Sequence, residues 1–142
     1  MTVSRTFDTK KVTEAVRLYS EEILGFDPDQ WLKSDGNVAL INEKGDISLF
    51  ERQWRQPNTV YGHYFFKSRG KSAITIAQEM LKEIFSGKYD VEVIVGLTPV
   101  EHKGAIWLNS RLGFKSYGDI DTEAGLCRFV LLTKQEWENN NG

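Results

Sequence analysis

With Cys127 its only cysteine, the chain can close no disulfide on itself, which excludes the cross-linked framework of small secreted domains. It has two histidines, His63 and His102, and their spacing from each other and from Cys127 is not that of metal ligands, which argues against a structural zinc site. Charge of one sign is also lacking. Eighteen Lys plus Arg stand against twenty Asp plus Glu, a formal net charge of -2. This argues against a basic surface gripping nucleic-acid phosphates and leads us to expect no nucleic-acid partner. No hydrophobic run approaches a membrane span: the longest, around Val91–Val95 and Phe129–Leu132, are strand-sized. The segment MTVSRTFDTKK carries charge throughout and has no apolar centre of a signal peptide, so the expected location is the cytoplasm.

What is present is an ordinary globular composition, 40% hydrophobic and 27% charged over 142 residues, enough for one domain with its own core. No repeat, low-complexity stretch or linker divides the chain. The expectation is a single domain over residues 1–142, with 138–142 as a solvated tail.

Hydrophobic period orders the elements. A short strand, Val3–Phe7, precedes a helix capped by Asp8 or Thr9, with Val12, Ala15, Val16, Tyr19 and Ile23 on one face and Gly25 past its end. Residues 27–33 hold a short helix with Pro28 in its first turn. Three strands follow in meander order: Val38–Ile41, Ile47–Glu51 after the turn 43–46, and Val60–Phe66. From Ala73 the period becomes 3.6, with Ala73, Ile74, Ala77, Met80, Leu81 and Ile84 on one stripe and Gly87 as its stop. Val91–Val95 then reads as a strand buried on both faces. Because the connection between them is a helix, it must pair parallel to Val60–Phe66 through a right-handed crossover. A helix over Lys103–Leu112 stops at Gly113, and two strands, around Phe114–Tyr117 and Leu126–Leu132, close the chain as a hairpin. The order β-α-(α)-β-β-β-α-β-α-β-β predicts an α/β fold around a mixed sheet.

The segment with most chemical content is Phe65-Phe66-Lys67-Ser68-Arg69-Gly70-Lys71-Ser72-Ala73, which joins a buried strand to a long amphipathic helix. Free backbone N–H groups and the helix dipole at such a junction favour an anion, usually a phosphate. Gly70 allows close backbone approach, and Lys67, Arg69 and Lys71 add three cations. The alternative is a solvated basic turn; a single glycine cannot form the longer cradle of a Walker loop. His63, on the strand before the turn, shares a face with Tyr61 and Phe65 and can act as a base near pH 6.5, or serve as a packed strand histidine. Glu51 and Glu92 are carboxylates near the sheet. Trp31, Trp54, Trp107 and Trp137 are either partly buried or anchors for protein contacts.

Element order and this segment resemble the Gcn5-related N-acetyltransferase (GNAT) superfamily across essentially the whole chain. That family's turn reads Gln/Arg-x-x-Gly-x-Gly/Ala, aligned here with Lys67-Ser68-Arg69-Gly70-Lys71-Ser72. The resemblance implies a twisted mixed sheet of about seven strands. It also implies acetyl-CoA as co-substrate, with its pyrophosphate on the amides of Arg69–Ala73 and its pantetheine arm between splayed parallel strands. Backbone N–H groups near Phe65 and Phe66 would then polarise the thioester. A second segment, His102 to Phe114, is similar to the family's Asn-x-x-Ala-x-x-Leu-Tyr-x-x-x-Gly-Phe helix, with Ala105, Leu108, Leu112, Gly113 and Phe114 in register. His102 stands where the family's CoA-contacting Asn is, and Asn109 where its proton-donating Tyr is. An amide can hydrogen-bond a thiolate but supplies no proton at neutral pH.

Two functions follow from the resemblance. One is an acyl-CoA-dependent N-acyltransferase acting on an amine, with His63 as base. The other is a non-catalytic protein on the same fold. The run Tyr61–Ile74, with Leu97-Thr98-Pro99 and Leu112-Gly113-Phe114, also looks like small GNAT-like proteins of tailed bacteriophages, some of them associated with virion head assembly. In that case the partners would be phage structural proteins in the host cytoplasm, and loss of the Tyr would be expected.

Overall fold

The computed structural model describes residues 2–19, 27–123 and 125–141. Strand β1 is Val3–Arg5, shorter than expected. Beyond it the Phe7 ring lies outside, under the Arg5 guanidinium at 4.6 Å. The Asp8 carboxylate then accepts from the Lys10 and Lys11 amides at 3.0 and 3.2 Å and starts helix α1, Thr9–Tyr19. Of the two expected caps, Asp8 is the one used. Val12, Ala15 and Val16 are buried as their spacing predicts, whereas Ile23 and Gly25 lie outside the described residues. Helix α2, Pro28–Lys33, is capped by the Asp27 side chain and carries proline in its first turn.

Among the described residues the sheet has seven strands. To β1 the chain adds β2 (Val38–Asn42), β3 (Ile47–Arg52), β4 (Thr59–Phe65), β5 (Val93–Pro99), β6 (Lys115–Thr122) and β7 (Gly125–Thr133), in the spatial order β1-β2-β3-β4-β5-β7-β6. Only β4 and β5 run parallel; all other neighbours are antiparallel. Helix α3, Lys71–Ile84, makes the crossover between them, and α4, Lys103–Leu112, follows β5. Each face of the sheet has its own core. Ala73, Ile76, Ala77, Met80, Leu81 and Ile84 of α3 pack with Phe50, Val60, Ile94 and Leu132 on one side. On the other, Val12, Ala15 and Val16 of α1 and Leu32 of α2 pack on Ala39, Ile47 and Leu49.

Three expectations need correction. The strand expected at Val91–Val95 begins two residues later and runs on to Pro99. Gly96 does not end it, because β7 pairs with β5 from Val93 to Pro99 and the Val130 side chain packs against the glycine. In α3, Ile76 is buried and Ile74 only partly so. Of the segment expected as a solvated tail, residues 138–140 are exposed but belong to helix α5, Lys134–Asn141, anchored by the Trp137 ring against Phe85 with centroids 5.7 Å apart, and Gly142 lies outside the described residues. Among the described residues no helix is long and apolar enough to cross a membrane.

Candidate functional site

Strands β4 and β5 pair only at their beginnings, Thr59 with Val93 through Tyr61 with Val95. β4 then stays with β3 as far as Phe65, β5 stays with β7 as far as Pro99, and the two part. The result is a fork in the middle of the sheet. Backbone groups alternate along a strand, and Asn58 O accepts from Val93 N on the β5 side while Thr59 O accepts from Gln53 N on the β3 side. The same alternation turns the Tyr64 N–H and C=O of β4, and those of Leu97 in β5, into the fork, where neither strand has a ladder partner. Phe65, expected to offer its amide there, instead faces Ile47 of β3 with its backbone.

The fork opens into a groove of about 600 Å³. Its walls come from β4, β5, α4 and the β4–α3 turn, so that His63, Phe66, Gly70, Thr98, His102 and Asn109 line one space. At one end Gly70 is the N-cap of α3, with φ 62° and ψ -135°. Having no side chain, it leaves the first-turn amides of α3 without a side-chain cap, and among the described residues no atom beyond its chain neighbours stands within 4 Å of where its Cβ would be. Ala73 and Arg69 also line the groove. The Arg69 guanidinium folds back on its own turn, donating to the carbonyls of Phe66 and Ser68. Lys71 and Ser72 are exposed on the first turn of α3, outside the lining.

Lys67 departs from the expected trio of cations. Its ammonium lies beside Gly45, in a separate cleft of about 880 Å³ against α1 and β2. That cleft is larger than the groove, but its Lys11, Lys44 and Lys67 stand beside Glu14 and Glu43, and the α1 amides of Lys10 and Lys11 are already taken by Asp8. The backbone at Lys67 is held from elsewhere. Asp46, fully buried in the β2–β3 hairpin, accepts from the Lys67 amide at 2.6 Å, from the Ser68 amide and hydroxyl at 3.3 Å, and from Asn42 Nδ2 at 3.0 Å. A carboxylate far away in sequence thus sets the start of the turn. Sequence reading placed Asp46 only in a hairpin turn, since nothing local links it to residue 67. Asp46→Ala strands two amides and should cost about 3 kcal/mol of stability. A urea titration would show this as a lower midpoint at unchanged slope; an unmoved midpoint would mean the turn holds itself.

His63 sits on the α1–α2 face of β4, stacked on Phe65 with ring centroids 6.5 Å apart. Its ring reaches solvent through the open groove, while the surrounding walls hold its pKa below the ordinary histidine value; the Glu51 charge acts in the opposite direction. Glu51 lies across from Tyr61 in the β3–β4 register and accepts from Trp31 Nε1 at 3.1 Å. Glu92 is exposed at the other end, before β5, and is not part of this cluster.

The α4 wall carries the rest. His102 is exposed at the helix N-cap. Asn109 is only 8% exposed, and its Nδ2 donates to Thr98 Oγ1 at 3.0 Å. Trp107, 42% exposed, lines the groove edge with the Arg111 guanidinium 5.8 Å from its ring centre. Trp54, 73% exposed, is remote from it. Among the described residues no group of three or more His, Cys, Asp or Glu could hold a metal ion.

No family model and no curated protein matches the chain. Solved structures do. A spermidine N-acetyltransferase SpeG variant from Vibrio cholerae aligns over 100% of both chains at 12% identity and a TM-score of 0.77. Aminoglycoside acetyltransferase AAC(6')-Ib in complex with coenzyme A aligns over 99% of both at 12% identity and 0.69. YncA from Salmonella typhimurium, described as a putative acetyltransferase with its cofactor acetyl-CoA, aligns over 94% of both at 20% identity and 0.69. The fold is therefore the acyl-CoA N-acyltransferase fold that the sequence resemblance implied.

Proposed function

We propose that this protein is an N-acetyltransferase that takes acetyl-CoA as co-substrate and passes its acetyl group to an amine. One observation carries the reading: the β4–β5 fork leads directly to the uncapped first turn of α3 at Gly70. A long ligand with an amide-bearing arm and a pyrophosphate needs those two features in that order. The arm takes the unpaired backbone groups of the fork, and the phosphates take the helix amides. The structural neighbours support this reading, since three of them hold coenzyme A or acetyl-CoA, one of these together with kanamycin, and another is a spermidine N-acetyltransferase.

Acetyl-CoA supplies an activated thioester carbonyl. The Tyr64 N–H donates to the carbonyl oxygen as it gains charge. His63, kept neutral by its walls, accepts the proton that the amine loses on attack. Lys71 and Arg69 add positive charge near the phosphates, and His102 borders the groove at the N-terminus of α4.

The test is a melting-temperature series with acetyl-CoA, followed by transfer assays on a panel of amines. A ligand that binds only the native state should add about 2.7 kcal/mol at 100 times its Kd. A melting temperature indifferent to millimolar acetyl-CoA would end the proposal.

A further inference from the structure

The acetyltransferase reading leaves one charge without an assigned partner. As the amine nitrogen bonds to the carbonyl carbon and the C–S bond breaks, the sulfur departs as a thiolate. Resting on that reading, we propose that the Thr98 hydroxyl, oriented by Asn109, donates the hydrogen bond that receives this thiolate.

Strand register puts Thr98 at the right level. Continuing the offset of the Tyr61–Val95 pair past the fork sets Thr98 beside Tyr64, one residue beyond His63. Alternation puts it on the right side. His63 has the parity of Tyr61 and Phe65, and Phe65 packs with the α1–α2 core. Thr98 has the parity of Ile94, in the α3–α4 core, and its side chain meets α4. An acetyl group held between the strands is then attacked from the His63 face while its sulfur leaves toward Thr98. Base and leaving-group donor stand on opposite sides of the reacting carbon.

The hydrogen-bond inventory supplies the donor. Asn109 Nδ2 gives its proton to Thr98 Oγ1 at 3.0 Å, which occupies a hydroxyl lone pair. No acceptor for the hydroxyl proton is found among the described residues. The proton is therefore free to point into the groove that both residues line. Asn109 is almost fully buried on a helix ended by the left-handed Gly113, so the amide is fixed while the hydroxyl can turn. Thr98 keeps its proton throughout. The proton lost by the amine goes to His63, and the thiolate takes one from water after release. Asn109 acts only through Thr98 and is a positioning residue.

The other titratable group on this wall is the exposed His102. The two candidates differ in place, Thr98 on β5 and His102 at the N-cap of α4. The experiment needs no acceptor amine: the thiol of bound CoA is titrated by its thiolate absorbance in the ultraviolet. The bound thiol should titrate about one to two pH units higher in Thr98→Val than in wild type, and Thr98→Ser should restore the wild-type value. With a competent amine, Thr98→Val should lower kcat about 10- to 100-fold and leave the KM for acetyl-CoA nearly in place. Asn109→Leu should lose a similar factor, and the double variant little more, because the two act as one unit. Circular dichroism checks that the variants are folded. Identical thiol titrations in wild type and Thr98→Val would overturn the inference while leaving the acetyltransferase reading intact. A bound-thiol titration that moves in His102→Gln and not in Thr98→Val would transfer the role to that imidazole. If wild-type protein binds no CoA, the functional reading itself fails and takes this inference with it.

Discussion

Replacing His63 by glutamine should lower kcat for acetyl transfer by about 10²- to 10⁴-fold and leave acetyl-CoA affinity in place. Glutamine keeps approximate size and hydrogen bonding but accepts no proton. The pH dependence gives the sharper readout. A general base works when neutral, so wild-type kcat/KM should rise with pH through the His63 pKa. Burial among the groove walls lowers that pKa, so the midpoint of the rise should lie below the pH near 6.5 expected of a free imidazole. In His63→Gln the rising limb should vanish. Stability follows the same linkage. A histidine whose folded pKa is depressed favours the native state when neutral, so its contribution is complete above the unfolded value, about 6.5. It is lost as pH falls from there through the lower folded value, and His63→Gln should remove that loss. Superimposable pH–rate profiles for the two proteins would take His63 out of the chemistry.

The second large effect is expected at Gly70. Its φ of 62° with ψ of -135° lies in a region that β-branched residues do not occupy, and the space around its missing Cβ is open. A Cβ there meets no atom of the described residues beyond its chain neighbours. The change acts on the backbone path, swinging the first-turn amides of α3 away from the phosphates and filling the approach to them. Losing two charge-assisted hydrogen bonds corresponds to about 3 to 4 kcal/mol, or roughly 10²- to 10³-fold in acetyl-CoA affinity. Titration calorimetry on wild type and Gly70→Val, with circular dichroism to confirm folding, measures this. Undiminished affinity would mean that the phosphates bind elsewhere. A wild type without affinity would leave the fold serving protein contacts alone.

The elements that periodicity defines were legible in the chain. The α3 stripe, the α4 helix closed at Gly113, the β2–β3–β4 meander and the parallel pairing across α3 follow from local spacing and from the handedness of a crossover. The errors came where a neighbour overruled a local signal. The expected strand stopped at Val95, yet β7 carries β5 on to Pro99. The polar residues 138–141 looked like a tail, yet Trp137 docks their helix on Phe85. Lys67 looked like part of a cationic cluster, but its side chain leaves the turn for the cleft beside Gly45.

The sequence by itself determined which residue types stand at the strand–helix junction. It also determined that a glycine stands in that junction and that an amide occupies position 109, because these are matters of order and identity along the chain. Only the tertiary structure decided where β4 and β5 part, because a ladder ends through the twist and pairing of whole strands. That fork decides which backbone groups lack partners: those of Tyr64 rather than Phe65. It brings Asp46 under the turn from 21 residues away and Thr98 within 3.0 Å of Asn109 from 11 residues away. Contacts of that kind arise from packing two layers onto one sheet, and no local pattern in a sequence encodes them.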